Sequence, residues 1–333
     1  MKRKKNCILV VGGAGYIGAH MCKLLAQKGY HPVVLDNLAR GHKEAVKWGS
    51  FVEGSMADGA TLKKIFATYH IDAVMHFAAF CYVGESVENP RIYYRNNVAH
   101  TINLLNLMVE AKISNFIFSS SCATYGEPLE IPIGETHPQN PINPYGRSKL
   151  MVEQVLDDLR PAYGFESISL RYFNAAGADP DGELGEDHRP ETHLIPLVLQ
   201  TALGLKQSVP IFGDDYDTED GTCIRDYIHI SDLAQAHLLA LEHLLSGARG
   251  GAYNLGNGDG YSVRQVIQTA RRVTGKPIPT QNSPRRCGDP AVLVGSSTKI
   301  RRQWGWQPKF PDLRSIIETA WEWHRNHPDG FTD

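Results

Sequence analysis

The sequence predicts an α/β protein with a doubly wound parallel sheet, and three observations lead to this prediction. Short apolar segments alternate with helix-forming segments through the first half of the chain. The first apolar segment, residues 7–11, runs directly into a group of glycines. The second, residues 31–35, ends at Asp36. Continuous apolar segments of this length are typical of strands in a sheet that helices cover on both faces.

The glycines after the first predicted strand are followed by a helix-forming segment over residues 16–28. In such a turn, Gly12 permits the change of direction, Gly15 lets backbone N–H groups approach a pyrophosphate, and Gly18 lets the helix pack on the strand. The partial positive charge at the helix N-terminus favours the phosphates. The glycines therefore predict a dinucleotide site.

Asp36 supports this prediction, because it follows the glycines by roughly the 20 residues expected for the acidic ribose ligand of such sites. A carboxylate at this place accepts hydrogen bonds from the adenosine ribose and repels a 2′-phosphate. The predicted cofactor is therefore NAD rather than NADP.

The remaining segments give the order of the elements. In the first half we predict strands near residues 51–52, 73–77, 115–118 and 167–171, and helices near 42–48, 61–69, 96–111 and 145–163. In the second half we predict helices near 196–205, 231–246, 263–274 and 316–323, and strands near 209–212 and 252–255. We predict an NAD-binding domain over residues 1–175 and a smaller α/β substrate-binding domain over residues 176–333, interleaved with the first.

The composition argues against several function classes. The 333 residues carry a net charge of −2, which gives no electrostatic case for binding nucleic acid or a membrane surface. No apolar run approaches a membrane span, and the stretch after the basic residues 1–5 is too short for a signal peptide. The six cysteines form no CxxC pair, which is typical of a reducing compartment and argues against a disulfide framework or a zinc site. We therefore expect a cytoplasmic protein without a bound metal.

Tyr145 and Lys149 lie four residues apart at the start of a predicted helix, so both side chains share one face. An ammonium beside a phenol lowers the pKa of the phenol, which makes it available as a base near neutral pH. Ser121 ends a predicted strand, where its hydroxyl can exchange hydrogen bonds with a substrate. Taken singly, these are an ordinary helical surface pair and a strand-end serine. Beside a predicted NAD site, they predict proton transfer next to a hydride acceptor.

Longer motifs run through nearly the whole chain. They read VVGGAGYIGAH, VVLDNL, HFAA, VGESVENP, YYRNNV, FIFSSS, PYGRSKLMVEQ, LRYFNAAGA, IFGDDY, EDGTCIRDYIH, YNLG and RRCGDPA. LRYFNAAGA and TCIRDYIH are typical of nucleotide-sugar epimerases rather than of dehydrogenases in general. On these residues the chain resembles the UDP-glucose 4-epimerase family, among the extended short-chain dehydrogenases/reductases with a Rossmann-type sheet.

The resemblance implies reversible C4 epimerisation of UDP-glucose and UDP-galactose, as in galactose metabolism. Tyr145, helped by Ser121, would remove the proton from the sugar 4-hydroxyl while hydride passes to tightly bound NAD. The 4-keto sugar would then turn before hydride returns to its other face. The resemblance also implies a homodimer formed through the helices predicted at 96–111 and 145–163.

The resemblance further implies two sets of binding residues. The cofactor set, which would line the NAD cleft, is Gly12, Gly15, Tyr16, Ile17, Gly18, Asp36, Asn37, Phe77, Ala78, Asn96, Lys149 and Tyr172. The substrate set, which would hold the UDP-sugar, is Ser121, Tyr145, Asn174, Phe212, Arg225, Tyr227, Arg286, Asp289 and Leu293. Within the substrate set, Arg225 and Arg286 would contact the diphosphate, since a guanidinium recognises phosphate oxygens in a bidentate fashion.

Several positions depart from the family pattern. Met56 stands near the place where an acidic residue often contacts the adenine, and Cys81 where some members have a lysine near the nicotinamide. His193 takes a place that is asparagine in some members. Leu293 is bulky compared with the small residues of N-acetylhexosamine epimerases, which favours UDP-glucose and UDP-galactose as substrates.

Other functions stay open at this point. A sugar-nucleotide 4,6-dehydratase would have Asp-Glu after the strand-end serine, whereas Cys122 and Ala123 follow Ser121 here. A 4-epimerase of UDP-N-acetylglucosamine, of UDP-xylose and UDP-arabinose, or of UDP-glucuronate fits the same motifs. A non-catalytic protein that binds NAD or a nucleotide sugar is a further alternative, although the complete set of Ser121, Tyr145 and Lys149 argues against it.

Overall fold

The computed structural model of the protein describes residues 6–286 and 288–332. Its strands, in chain order, are Cys7–Val11 (β1), His31–Asp36 (β2), Ser50–Glu53 (β3), Ile71–His76 (β4), Asn115–Ser121 (β5), Glu166–Tyr172 (β6), Asn174–Ala176 (β7), Val209–Phe212 (β8), Ile224–His229 (β9), Gly251–Leu255 (β10), Gly260–Ser262 (β11), Thr280–Ser283 (β12) and Val292–Leu293 (β13). Seven of them form a parallel sheet in the order β10-β6-β5-β4-β1-β2-β3. This confirms the predicted fold class.

Helices connect most of these strands. They are Tyr16–Gln27 (α1), Gly59–Thr68 (α2), Val83–Glu88 (α3), Pro90–Tyr93 (α4), His100–Glu110 (α5), Pro144–Tyr163 (α6), Leu194–Ala202 (α7), Ile230–Leu245 (α8), Val263–Thr274 (α9), Thr298–Trp304 (α10) and Leu313–Asn326 (α11). None of the helices within residues 6–286 and 288–332 is long and apolar enough to cross a membrane.

Two apolar clusters cover the two faces of the central sheet. On one face α1 and α8 pack together, and Leu25 and Leu238 are buried against Val10 of β1. On the other face α2, α5 and α6 cover the sheet, with Leu104 and Val152 completely buried. Burial of side chains of this size contributes roughly 1.5–3 kcal/mol each, so helices on both faces stabilise the apolar strands between them.

The strands of the sheet all point the same way, so their carboxyl ends meet at one edge. Gly12 follows β1, Asp36 ends β2, Phe77 follows β4, and Ser121 and Tyr172 end β5 and β6. Ligands in open α/β sheets bind at this edge. The fold therefore gathers residues that are far apart in the sequence.

The second half of the chain forms a smaller layer beside this edge. Strand β9 pairs in parallel with β7 and β13 and in antiparallel fashion with β11, while β8 pairs with β12. Helices α7, α9 and α11 pack around these strands through residues such as Val198, Val266 and Ile316. The domain boundary at residue 175 stays a prediction, but β10, far beyond it, pairs with β6 in the central sheet.

Two predicted helices differ from the structure. The prediction for residues 42–48 is wrong: only a 3-10 turn, Lys43–Ala45, forms there, since a segment this short between two glycines gains too few hydrogen bonds to repay helix nucleation. The helix predicted to begin at residue 96 begins at Pro90, a residue suited to the first helical position. It passes through a π-helical turn, Tyr94–Ala99, into α5.

Residues 1–5, Cys287 and Asp333 lie outside the described ranges, and with them the basic N-terminal stretch and one of the six cysteines. Within the described ranges Cys22, Cys81, Cys122 and Cys223 are free thiols, and all of these except Cys81 are buried. That the protein has no disulfide framework stays a prediction.

Candidate active site

The turn between β1 and α1 depends on its glycines. Gly12 has a φ of +82°, and a Cβ atom there would lie 2.5 Å from the backbone nitrogen of Ala78. A Cβ atom on Gly18 would lie 2.2 Å from the carbonyl oxygen of Gly12. Gly15 is different, because a Cβ atom there would meet nothing closer than that same oxygen, at 3.5 Å. A side chain at Gly12 or Gly18 would therefore collide with the backbone, whereas the space in front of Gly15 is open.

The open side of Gly15 is also the N-terminus of α1. In the described structure no side chain caps this helix, whose first residues are Tyr16, Ile17 and Gly18. The N–H groups of a first helical turn have no intrahelical partner, and they carry a partial positive charge. An uncapped N-terminus facing a cleft fits a pyrophosphate. Tyr16 also donates a hydrogen bond through Oη to the carbonyl of Gly177, at 2.7 Å, which ties α1 to the chain beyond β7.

Asp36 lies beside this turn and is 9% exposed. Its Oδ2 accepts a hydrogen bond from the Ala14 N–H at 3.0 Å, and its Oδ1 accepts one from the Leu38 N–H at 2.8 Å. Burial raises the pKa of this carboxyl, while the backbone donors act in the opposite direction. The next side chain, Asn37, accepts a hydrogen bond from the Ala39 N–H. The carboxylate is thus oriented beside the glycine turn, where a ribose hydroxyl could reach its remaining lone pairs.

The segment after β4 forms the other wall of the same cleft. Phe77 and Ala78 both donate backbone hydrogen bonds to the carbonyl of Val11, which holds them against the glycine turn. Asn96 lies in the π-helical turn and donates a hydrogen bond to the side chain of Asn97. Asn97 in turn bonds both backbone groups of Phe80 and donates to Ser148 of α6. The irregular turn therefore joins the cofactor cleft to the helix that carries Tyr145.

Ser121, Tyr145 and Lys149 come together at the carboxyl end of β5. The Ser121 hydroxyl lies next to the Tyr145 phenol, where it acts to lower the pKa of the phenol, and it accepts a hydrogen bond from the Ala123 N–H at 3.1 Å. Lys149 donates through Nζ to the carbonyl of Ser119 at 2.7 Å, and its Nζ lies 5.9 Å from the centre of the Tyr145 ring. All three side chains are less than 10% exposed. A cluster of buried hydroxyl and amino groups of this kind can move a proton to or from one substrate atom.

The pKa values at this point differ from the prediction. Burial raises the pKa of Tyr145 well above its ordinary value, with further upward effects from Tyr172 and Cys81, and the hydrogen bond from Ser121 lowers it only in part. Burial also lowers the pKa of Lys149 to about 8. In the protein without ligands, Lys149 therefore does not give Tyr145 the lowered pKa that the spacing suggests, because desolvation of the phenol outweighs the distant ammonium.

Tyr172 lies at the end of β6, next to this group. Its hydroxyl is hydrogen-bonded to Ser119 Oγ at 2.5 Å, and burial raises its pKa. Ser119 thus contacts Tyr172 through its side chain and Lys149 through its carbonyl. Tyr172 and Lys149 are therefore linked through Ser119 of β5.

Apart from Ser121 and Tyr145, the residues predicted to hold the substrate lie on or beside the smaller layer. Arg225 forms an ion pair with Asp289, and its side chain is 12% exposed. The guanidinium of Arg286 lies 3.9 Å from the centre of the Phe212 ring. The structure thus brings together two pairs of the substrate set, each with one cation that can face an anionic ligand.

Three further members of the substrate set lie on β9 and on the strands that pair with it. Tyr227 is buried, and Asn174 opposite it in the β7–β9 pairing donates a hydrogen bond to the carbonyl of Asp226. Leu293 lies opposite Arg225 in the β13–β9 pairing and packs against the cluster that contains Cys122. Leu293 therefore lies between Arg225 and the segment that begins at Cys122, directly after Ser121.

Comparison with known proteins agrees with this geometry. A family model described as the NAD dependent epimerase/dehydratase family matches residues 8–256. The chain belongs to this family. The UDP-glucose 4-epimerase of Halalkalibacterium halodurans is 54% identical over 325 residues, which cover 98% of this chain and 97% of that relative.

Solved structures of relatives superpose closely on this member of the epimerase/dehydratase family. A UDP-glucose 4-epimerase from Brucella ovis in complex with NAD is 53% identical, with a TM-score of 0.92 and coverage of 95% of this chain and 97% of that one. One from Bifidobacterium longum in complex with NAD+ and UDP is 38% identical, with a TM-score of 0.94 and coverage of 98% and 100%.

Sequence reasoning missed three buried charged side chains that support the site in this epimerase/dehydratase family member. Asp226 is fully buried, and its carboxylate accepts hydrogen bonds from the N–H groups of Asn257, Gly258 and Gly295. Glu153 of α6 forms a buried ion pair with Arg171 of β6. The available signal was a charged residue inside an apolar strand, in IRDYIH and in SISLRY. Only a structure shows which backbone groups or side chains pair with them.

Proposed function

We propose that this chain catalyses the reversible C4 epimerisation of UDP-glucose and UDP-galactose through a 4-keto sugar, with NAD as its bound cofactor. The observation that carries the proposal is the buried group of Ser121, Tyr145 and Lys149 at the same sheet edge as the open glycine turn. Full-length relatives named UDP-glucose 4-epimerase support it.

The roles of the catalytic residues follow from their positions. NAD, when bound, supplies the acceptor and donor of the hydride at C4. Tyr145 Oη takes the proton from the 4-hydroxyl of the sugar and returns it after inversion. Ser121 holds the phenol and the sugar hydroxyl in one hydrogen-bonded line, and Lys149 keeps a positive charge near the phenol while it is ionised.

The substrate is held by its nucleotide rather than by its sugar. Arg225 and Arg286 provide charge-assisted hydrogen bonds to the diphosphate, and Asp289 accepts one from the ribose. Phe212 and Tyr227 provide aromatic surface for the uracil. Because the 4-keto sugar must present both faces to the cofactor, tight contacts to the sugar would slow the reaction. Firm binding of UDP with loose binding of the sugar is therefore the arrangement that this reaction needs.

The test is to mix the purified protein with UDP-galactose, without added cofactor, and to follow the anomeric proton signals by NMR. Appearance of UDP-glucose would establish both the 4-epimerase activity and the presence of NAD that co-purifies with the protein. No conversion, even after NAD is added, would overturn the proposed reaction.

The identity of the sugar is tested in the same way. Leu293 reduces the room near Cys122, and this favours hexoses without a bulky C2 substituent. We expect UDP-N-acetylgalactosamine, UDP-arabinose and UDP-galacturonate to be converted more slowly than UDP-galactose. A faster rate with any of these substrates would reassign the substrate without changing the reaction class.

We also propose that the protein is a cytoplasmic homodimer. The free thiols of Cys22, Cys81, Cys122 and Cys223 support a reducing compartment. Val98 and Ile102 on the helical stretch that includes α5, and Met151 on α6, are apolar side chains that remain partly or fully exposed in one chain. Pairing of these two helices with those of a second copy would bury this apolar surface.

A further inference from the structure

Two histidines and two glutamates meet in the segment between β7 and α7, beside the proposed active site. We propose that Glu186, His188, Glu191 and His193 bind one divalent transition-metal ion of the Zn²⁺ class. Each residue offers one ligand atom, and the four ligand atoms lie within 4.8 Å of one another. The sequence-based expectation of no metal rests on cysteine spacing, whereas this site uses imidazole and carboxylate.

The distances within the cluster suit a four-coordinate ion. Zn–N and Zn–O bonds of about 2.0–2.2 Å in a tetrahedron place neighbouring ligand atoms about 3.3–3.6 Å apart. His188 Nδ1 lies 3.3 Å from Glu186 Oε1 and 3.6 Å from Glu191 Oε2. His193 Nδ1 lies 3.5 Å from Glu191 Oε1 but 2.6 Å from Glu186 Oε1. Among these four pairs, the last has to move apart when an ion enters.

Glu191 is held with one oxygen directed into the cluster. Its Oε1 accepts hydrogen bonds from the N–H groups of Thr192 and His193, at 2.7 and 2.8 Å. Its Oε2 is buried and lies 3.6 Å from the buried His188 Nδ1, and neither atom forms a hydrogen bond among the described residues. The Glu191 side chain is only 4% exposed. Buried polar atoms in an ion-pair contact without a hydrogen bond are incompletely satisfied, and a metal ion between them would bind both atoms at once.

The charges of the cluster also favour a divalent cation. Two buried carboxylates carry a charge of −2, which matches the charge of one divalent ion. One divalent ion neutralises the site with the histidines in the form that binds metals. Imidazole with carboxylate is a ligand set that suits Zn²⁺ and its neighbours rather than Mg²⁺ or Ca²⁺. The His193 side chain is 43% exposed, so an ion can enter from solvent.

A second cluster shows why charge alone does not make a site. Asp179, Asp181 and Glu183 also bring three carboxylates together. Here Lys23 lies in the centre, with Nζ at 2.6, 2.7 and 2.6 Å from the three side chains. The lysine ammonium already occupies the place of a cation. The cluster at 186–193 has no lysine or arginine among the described ion pairs at its centre, and this difference provides a control.

A bound ion would hold residues 186–193 in place over the N-terminus of α1. The His188 ring packs edge-on against Tyr16 and Tyr82, with ring centres 6.3 and 6.2 Å apart. Tyr82 also donates a hydrogen bond to the carbonyl of Pro190. Metal binding would therefore hold residues 186–193 against the glycine turn and the segment after β4. We expect the melting temperature of the chelator-treated protein to rise when Zn²⁺ is added.

The test is calorimetric titration of the chelator-treated protein with ZnCl2 alone. We expect one ion to bind per chain, and Glu191→Gln and His188→Gln to weaken this binding by more than about 100-fold. Asp181→Asn in the lysine-filled cluster is the matched control and should bind as the wild type does. Unchanged affinity in both cluster variants, or no binding by the wild-type chain, would overturn the proposal.

Cobalt provides a readout on the unmodified chain, in case a variant does not fold. Co²⁺ in a four-coordinate site of nitrogen and oxygen ligands shows visible d–d bands without the near-ultraviolet charge-transfer band of a thiolate ligand. We expect the visible bands alone, and their loss when one equivalent of Zn²⁺ is added. A thiolate band would assign the ion to the cysteines, and the spectrum of six-coordinate Co²⁺ would mean that the cluster is an ion-pair network without a metal.

Discussion

The burial of Tyr145 has two opposing effects on its proposed role as a base. Its burial excludes water from the proton-transfer step, but burial also raises the pKa of the phenol well above 10. Lys149, with its own pKa lowered to about 8, does not supply a permanent charge at high pH. The phenolate therefore needs a further cation nearby, and the positively charged nicotinamide ring of NAD is the group that the proposed cofactor would add. We therefore expect Tyr145 to act as a base only when NAD is bound.

Tyr145→Phe removes the proton-transfer atom and little else. Because the ring stays in place, we expect NAD content and UDP affinity to remain near those of the wild type, while kcat falls by at least about 100-fold. The measurement is conversion of UDP-galactose by NMR together with UDP titration by calorimetry. Turnover close to that of the wild type would contradict the role of the phenol.

Gly15→Ala tests the open side of the glycine turn. The added methyl group has no contact closer than 3.5 Å within the protein, so we expect the free energy of unfolding to change by no more than about 0.5 kcal/mol. The methyl group projects into the space proposed for the pyrophosphate, so the NAD that co-purifies should fall sharply. Gly59→Ala, whose Cβ would also fit at 3.7 Å, is the matched control. Full NAD content in Gly15→Ala would place the pyrophosphate elsewhere.

At the scale of elements, α6 links the proposed chemistry to the sheet. Tyr145, Lys149 and Glu153 are spaced by four residues, so they lie on the same buried face. Glu153 binds Arg171 of β6 through both carboxylate oxygens and accepts a hydrogen bond from Ser120 of β5. The ion pair therefore fixes the position of α6 along two strands, and with it the height of Tyr145 above the sheet edge.

Glu153→Gln leaves Arg171 buried without its counter-ion. We expect the free energy of unfolding to fall by about 3–5 kcal/mol, as found when one partner of a buried pair is removed. Denaturant unfolding measures this change. Glu318→Gln breaks an exposed pair with Arg314 on α11 and should give no measurable change. Equal effects from the two substitutions would mean that the buried pair does not anchor α6.

The sequence was most informative where structure depends on neighbours along the chain. The glycine turn, Asp36 and the four-residue spacing of Tyr145 and Lys149 are local patterns, and their elements form as predicted. The π-helical turn was not predicted, because it depends on Asn97 bonding to Phe80 and Ser148, which are distant in sequence. The direction of the Tyr145 pKa likewise depends on burial, which no spacing reveals.

At the scale of the whole molecule, several buried histidines link stability to pH. Burial lowers the pKa of His20 and His237 to about 4 and that of His76 and His229 to about 3. The unfolded chain therefore binds more protons between pH 6.5 and pH 4, and stability is lost as the pH falls through this window. Asp226, whose pKa burial raises to about 6, acts in the opposite direction, as do Asp36 and Asp232, whose pKa values burial also raises.

His237→Gln tests this dependence. A histidine with a folded pKa near 4 contributes about 2 kcal/mol less to stability at pH 5 than at pH 7.5. We expect the loss of unfolding free energy between these two pH values to be smaller by about that amount in the variant. Urea unfolding at both pH values measures it. An identical loss in wild type and variant would show that His237 is not held neutral by the fold.

The proposed dimer gives a prediction at the same scale. Met151→Arg places a charge in the apolar patch on α6, where Met151 is 40% exposed, and should shift the mass in sedimentation from two chains toward one. Leu205→Arg, at a residue 52% exposed beyond the end of α7, is the matched control and should leave the mass unchanged. A wild-type mass of one chain at all concentrations would contradict the dimer itself.

The position of β10 beside β6 has a consequence for synthesis of the chain on the ribosome. Residues 251–255 complete a sheet whose other six strands lie within the first 172 residues, and α8, at Ile230–Leu245, covers one of its faces. A nascent chain that has just passed residue 175 therefore presents the open edge of β6 and an uncovered apolar surface. Premature termination there would leave a fragment prone to aggregation, and cells that make this protein have to protect the emerging strand until three-quarters of the chain has been translated.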